Sequence, residues 1–360
     1  MPRDNQKNKT TTVKQATFDL LRAFGIRCVF GNPGSTELPF LSDWPDDIAY
    51  VLGLQEASVV GMADGYAQAT RNAGFVNLHS AAGVGNALGN IYTAHRNQTP
   101  LVITAGQQAR SILPLQAFLY AERPSEFPRP YVKYSVEPAR PEDVPAAIAR
   151  AYYVAMQPPR GPTFVSVPID DWTHPAQPVA ARQISRELGP EPKVMQELAA
   201  ALAAAKHPAL VVGPGIDRAA CVDLMVAVAE RARTSVWVSP FSARCSFPER
   251  HPQFAGFLHA SPAQLSDALK AHDLVVVIGA PVFTFHVEGH AAIFDGGTTI
   301  YQITDDADGA AVTPVGRSII ATMRPALSML LELLPETKRA TPKGRVLAEP
   351  PKAADPIPVD

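Results

Sequence analysis

Phe30 to Phe40 reads FGNPGSTELPF. The residues just before it, Ile26, Cys28 and Val29, are apolar and spaced as a strand. Gly31, Pro33 and Gly34 then stop that strand. Glycine allows left-handed backbone and close approach of a ligand, and proline fixes φ and removes a donor. Ser35 stands where a helix would start and can cap it through its hydroxyl. A strand, a tight turn and a helix N-terminus in succession suit a small-molecule site in a parallel sheet. They equally suit an ordinary strand-to-helix turn without chemistry.

On either side of this segment, short apolar runs alternate with helical spacing. Strands are expected at residues 27–30, 50–54, 75–78, 101–105 and 163–167, and helices at 13–24, 58–70, 86–94 and 144–156. That alternation predicts βαβ units and a parallel sheet. Residues 171–192 are rich in proline and polar side chains and read as a connection. A second α/β unit follows over 193–335, with strands at 209–212, 235–238, 274–278 and 299–303. Residues 1–12 are expected to be a disordered lead-in, 13–170 the first domain, and 336–360 a proline-rich linker or tail.

Composition narrows the function. The formal net charge of −2 and the absence of any basic block argue against nucleic-acid binding. No apolar stretch is long enough to span a bilayer, and the polar start MPRDNQKNKTTT carries no apolar leader core. Cys28, Cys221 and Cys245 form no C-x-x-C pair, so neither zinc nor a disulfide framework is supported. A reducing cytoplasmic setting is expected.

Ligands of open parallel sheets bind beyond the carboxyl ends of the strands. Ser35, Glu56, His79, Gln107 and Gln108 all fall there. Each also has a plain structural reading. An acid at a helix start, like Glu56, gains roughly 0.3–1 kcal/mol from the helix dipole. His79 could bond a backbone carbonyl, Ser35 could be only a cap, and the glutamines could be turn residues. The glycine-rich GVGNALG (Gly83–Gly89) and GPG (Gly213–Gly215) both lack the G-x-G-x-x-G spacing of a dinucleotide site. His286 and His290 form an H-x-x-x-H pair that would bind metal only on a helix, which Gly289 disfavours.

The segments VFGNPGSTELPFL, LQEASVVGMADGYAQAT, NLHSAAGVGNALG, PLVITAGQQAR, GPTFVSVPIDDW and VVIGAPVFTFH, in this order, resemble thiamine-diphosphate-dependent 2-oxo acid decarboxylases of the benzoylformate decarboxylase type. The resemblance implies α/β architecture with doubly wound parallel sheets: a pyrimidine-binding domain, then a Rossmann-like central domain for which no FAD is expected. It implies that Glu56 hydrogen-bonds the cofactor's aminopyrimidine and that His79 and His286 move protons. Ser35 would hold the substrate carboxylate. Asn32, Pro33 and Gly34 would line the cofactor pocket, and Phe118 and Leu119 would flank an aryl group. The implied reaction converts benzoylformate to benzaldehyde and carbon dioxide.

The family's third domain, which holds Mg2+ and the diphosphate, begins its motif with GDG, and no GDG occurs here; the nearest string is DADGAA at Asp306–Ala311. The expected partners are a 2-oxo acid and further copies of the chain in an oligomer and/or a separate subunit carrying the diphosphate-binding domain; a split enzyme, a truncated frame and part of a longer protein all remain open. The chain alone is expected to be inactive. The alternative is a non-catalytic module that binds a ligand or partner. The face toward a third domain is expected to be apolar.

Overall fold

A computed structural model describes residues 11–345 of the chain, which divide between Arg186 and Glu187 into two compact units. The expectations for residues 1–10 and 346–360 lie outside the described residues. Thr11 and Thr12, expected in the lead-in, pair antiparallel with Pro175 and Ala176.

The first unit is built on six strands: β1 (Cys28–Asn32), β2 (Ala49–Leu52), β3 (Gly74–Leu78), β4 (Leu101–Gln107), β5 (Ser135–Val136) and β6 (Pro162–Pro168). Their order is β2-β1-β3-β4-β6-β5, and every pairing is parallel. Strands buried on both faces need near-continuous apolar sequence, and β4 and β6 are buried at every position. Side chains alternate between the two faces. Val29, Phe75, Val102 and Val165 pack with helices α1 (Val13–Ala23) and α4 (Val144–Met156). Phe30, Val76, Ile103 and Phe164 pack on the opposite face with α2 (Glu56–Thr70) and α3 (Ser80–Arg96). The sheet is thus doubly wound.

Helix α3 starts earlier than expected and runs through the whole GVGNALG segment. Glycine costs about 1 kcal/mol within a helix, but here it permits close approach. A Cβ on Gly83 would sit 3.3 Å from Glu56 Oε1, and one on Gly61 of α2 would sit 3.2 Å from Asn90 Nδ2. The chain after β6 does not leave the unit at once, because Asp171 and Trp172 are buried within it. Trp172 stacks on Phe40, with ring centroids 4.3 Å apart.

The second unit repeats the plan with β7 (Pro208–Val212), β8 (Ser235–Val238), β9 (Phe254–Phe257), β10 (Leu274–Ile278), β11 (Thr299–Thr304) and β12 (Arg317–Ile320). The order is β9-β8-β7-β10-β11-β12, again all parallel. Leu210 and Val212 face α5 (Pro192–Ala204), α6 (Val222–Ala232) and α8 (Met323–Leu333), while Ala209 and Val211 face α7 (Pro262–Leu269). The edge strands β9 and β12 escaped the sequence reading. The first carries Gly256 at φ +137° and alternates buried with half-buried or exposed positions, and the second buries one residue, Ile319, of its four. The GPG turn serves packing: a Cβ on Gly215 would meet Gly279 Cα at 2.7 Å.

Beyond α8 no regular element occurs among the described residues, yet the described part of the tail is pinned. The Arg339 guanidinium donates to the Leu202 and Ala205 carbonyls at 2.7 and 2.5 Å, and also to the Ala232 carbonyl. These carbonyls end α5 and α6, where a cation complements the helix dipole. Arg345 lies 5.0 Å from the Phe254 ring centroid. Replacing Arg339 with Ala is expected to lower stability by about 1–2 kcal/mol, since the group caps two partly buried helix ends. Urea unfolding measures this, and limited proteolysis should show faster cleavage near residue 339.

Candidate active site

Strand order places the site. The chain leaves β1 outward to β2 and returns on the other side of β1 as β3. The loops after β1 and β3 therefore diverge at a switch point, where parallel sheets open a crevice. Asn32 at the end of β1 pairs in register with Leu78 at the end of β3. The residues that follow, Pro33–Glu37 and His79, are thereby brought together. A Cβ on Gly34 would fall 2.2 Å from His79 Nδ1, so only glycine lets the loop lie against this ring. Asn32, Pro33 and Gly34 are half-buried and Ser35 is exposed. No hydrogen bond of Ser35 Oγ occurs among the described residues.

Glu56 opens α2 and is 9% exposed. Gln55 caps this helix, its side chain accepting from the Ser58 N–H at 3.0 Å. The helix N-terminus favours the Glu56 carboxylate. Asn86 Nδ2 donates to Glu56 Oε2 at 3.2 Å. The other oxygen, Oε1, has no hydrogen-bond partner among the described residues, and bare Gly83 faces both it and His79 Cβ. A half-satisfied carboxylate beside a glycine gap fits a polar, planar ligand edge such as an aminopyrimidine. Ser80, directly after His79, holds a left-handed backbone at φ +43°. Such strain in a non-glycine residue is common at functional sites.

Glu37 was missed by sequence reasoning. It is 1% exposed. Its carboxylate accepts from the Gly34 N–H at 2.8 Å, the Gly106 N–H at 2.9 Å and the Thr36 hydroxyl at 2.6 Å, and it meets His79 Nδ1 at 2.8 Å. The Tyr50 hydroxyl is buried without a hydrogen-bond partner among the described residues. Burial, and then the Glu37 charge, push its pKa well above the usual phenol range. A first-turn acid after GNPGST is the only sequence signal for Glu37, and it is indistinguishable there from a dipole-favoured surface glutamate.

Gln107 is a buried clamp at the end of β4. Its amide donates to the Ala121 carbonyl at 2.8 Å, and its carbonyl accepts from the Ala121 N–H at 3.1 Å. This fixes the loop bearing Phe118 and Leu119. Phe118 is 88% exposed, and Leu119 takes a left-handed φ of +68°. Leu38, Leu52 and Leu54 are exposed as well, so apolar surface borders the carboxyl end of this sheet.

His286 belongs to the second unit, on the loop after β10, where it is exposed beside Phe241 with ring centroids 6.1 Å apart. His290 pairs with Asp295 at 2.9 Å, and the H-x-x-x-H segment, residues 286–290, is not helical. Asp306 of DADGAA caps a short helix, accepting from the Gly309 N–H at 2.9 Å. Among the described residues no group of three or more His, Cys, Asp or Glu could hold a metal. No helix there is long and apolar enough to cross a membrane.

Two family models match: "Thiamine pyrophosphate enzyme, N-terminal TPP binding domain" over residues 11–122, and the central domain over residues 195–330. Benzoylformate decarboxylase of Pseudomonas aeruginosa is 43% identical over 348 residues, covering 96% of this chain and 66% of that protein. The crystal structure of benzoylformate decarboxylase from Polynucleobacter necessarius matches with a TM-score of 0.92 and 43% identity, over 97% of this chain and 66% of that one. The 4-hydroxybenzoylformate decarboxylase of Rhodococcus jostii RHA1 matches with a TM-score of 0.89 and 40% identity, over 96% and 66% respectively. The chain thus spans about two thirds of these relatives' lengths. It belongs to the thiamine pyrophosphate enzymes, whose N-terminal TPP-binding and central domains its two units represent.

Proposed function

We propose that this chain supplies the pyrimidine-binding half of a site for non-oxidative decarboxylation of an aryl 2-oxo acid, with benzoylformate giving benzaldehyde and carbon dioxide. The observation that carries this reading is the Glu56 carboxylate, with one oxygen held by Asn86 and the other facing the Gly83 gap next to His79. Bound thiamine diphosphate would supply the nucleophilic carbon and the electron sink that the reaction needs. Glu56 would share a proton with the aminopyrimidine edge from Oε1, a task that suits a carboxylate in a mostly apolar cleft.

Asn32, Pro33 and Gly34 would shape the wall beside that ring. Ser35 would donate its hydroxyl to the substrate carboxylate and orient it for loss of carbon dioxide. His79 would pass a proton to and from the reacting carbon's substituents, as imidazole can near neutral pH; His286 would be the second such carrier. Phe118 and Leu119 would give an aryl group apolar surface. The diphosphate and Mg2+ are assigned to a third domain, on the same or another polypeptide, with assembly into an oligomer.

The test is aldehyde formation from benzoylformate with thiamine diphosphate and Mg2+. The purified 360-residue chain is compared with the same chain mixed with a separately expressed diphosphate-binding domain. Benzaldehyde is expected only from the mixture. Thiamine-independent ligand binding with no turnover in either sample would count against the proposal.

A further inference from the structure

We infer that Glu37 is a positioning residue that locks His79 as the Nδ1–H tautomer and leaves Nε2 as the atom that moves the proton. An ionised carboxylate only accepts hydrogen bonds and offers about four lone-pair sites. Glu37 uses them on four donors. Oε1 takes the Gly106 N–H at 2.9 Å and the Thr36 hydroxyl at 2.6 Å. Oε2 takes the Gly34 N–H at 2.8 Å and faces His79 Nδ1, also at 2.8 Å. Thr36, having donated its proton to Glu37, presents only lone pairs to Nδ1 at 3.1 Å. Nδ1 therefore meets two acceptors and must carry the proton. In the neutral ring Nε2 is then unprotonated, and it has no hydrogen-bond partner among the described residues.

The surrounding fold holds this geometry from both sides. A Cβ on Gly34 would strike the His79 ring, and one on Gly106 would lie 2.1 Å from Glu37 Oε1. Burial, and then the Glu37 charge, raise the Tyr50 pKa, and Glu56 lies across Gly83 from His79. A buried carboxylate that fixes an imidazole tautomer without touching substrate is the orienting role seen in catalytic triads.

The assignment rests on His79 moving a proton in the proposed reaction, but the tautomer itself can be read without activity. Histidine-labelled full chain is examined by long-range proton–nitrogen NMR near neutral pH, with His79 assigned from a His79→Asn sample. The expected wild-type pattern is a protonated Nδ1 and a bare Nε2. Glu37→Leu removes the carboxylate from Nδ1 and frees the Thr36 hydroxyl, 3.1 Å from Nδ1, to donate to it, so the pattern is expected to invert. Thr36→Val should keep the wild-type pattern. In the assembled holoenzyme, Glu37→Leu should lower kcat about 100- to 10,000-fold, with KM changed far less.

A bare Nδ1 in the wild-type chain, or an unchanged pattern in a folded Glu37→Leu, would overturn the assignment. Inversion in Thr36→Val would also overturn it, by moving the role to Thr36. If Glu37→Leu does not fold, the wild-type and Thr36→Val spectra still decide. A protonated Nδ1 combined with full activity in His79→Ala would support the tautomer and refute the functional reading alone.

Discussion

Glu56→Gln is expected to lower kcat for benzoylformate decarboxylation about 100- to 10,000-fold, the span that a positioned general acid–base supplies. Glutamine keeps the shape and can still accept from Asn86 through its amide oxygen. It cannot exchange a proton with a ligand edge at the other position. Because Glu56 begins α2 and is not part of an ion pair among the described residues, the substitution should leave thermal unfolding nearly unchanged. The measurement is kcat in the assembled holoenzyme beside a melting curve of the chain. A variant with the wild-type rate would remove Glu56 from the chemistry. A variant that lost activity only by unfolding would show the residue to be structural.

Arg110→Ala is expected to be the most damaging change to stability. Its guanidinium forms a two-pronged pair with Asp171, at 2.7 and 2.8 Å. It also donates to the Pro138 and Ala139 carbonyls, at 2.8 and 3.0 Å. Asp171 is fully buried. The hydrogen bonds to Asp171, followed by its charge, hold the arginine above its ordinary pKa. Removing the cation leaves a buried carboxylate without its charge partner, which costs about 3–5 kcal/mol. Urea unfolding of the chain reads this directly. A loss below about 1 kcal/mol would place the pair with ordinary surface salt bridges. Arg110 begins the loop that carries Phe118 and Leu119, so the same variant should also weaken selection for aryl substrates.

Much of this fold is legible from local sequence. The apolar runs of β1, β3, β4 and β6 are nearly continuous because both faces are buried, and turn residues punctuate them cleanly. Burial and pairing of edge strands such as β9 and β12 depend on neighbours, so their sequences carry a weaker signal. Gly83 and Gly85 read as a loop leading into the helix expected from residue 86. They are helical, and the bare Gly83 lets α3 lie so close to α2 that a larger residue there would crowd Glu56. Position in the chain marked Glu56 and His79 as polar groups at strand ends, but position alone could not separate chemistry from capping. Glu37 was hidden because its role is defined by Gly106 and His79, which lie far from it in sequence and meet it only once β1, β3 and β4 are side by side. Arg339 and Arg345 were hidden for a related reason. A proline-rich polar tail has no periodicity, and only the ends of α5 and α6 and the Phe254 ring reveal what the arginines grip.

The central claim is that the Glu56 carboxylate receives the pyrimidine edge of thiamine diphosphate. A crystal structure of the assembled protein with the bound cofactor tests it most directly. The expected density puts the aminopyrimidine in hydrogen-bond contact with Glu56 Oε1, in the gap left by Gly83, with His79 Nδ1 still on Glu37. Cofactor bound elsewhere, with Glu56 turned away from it, would contradict the account.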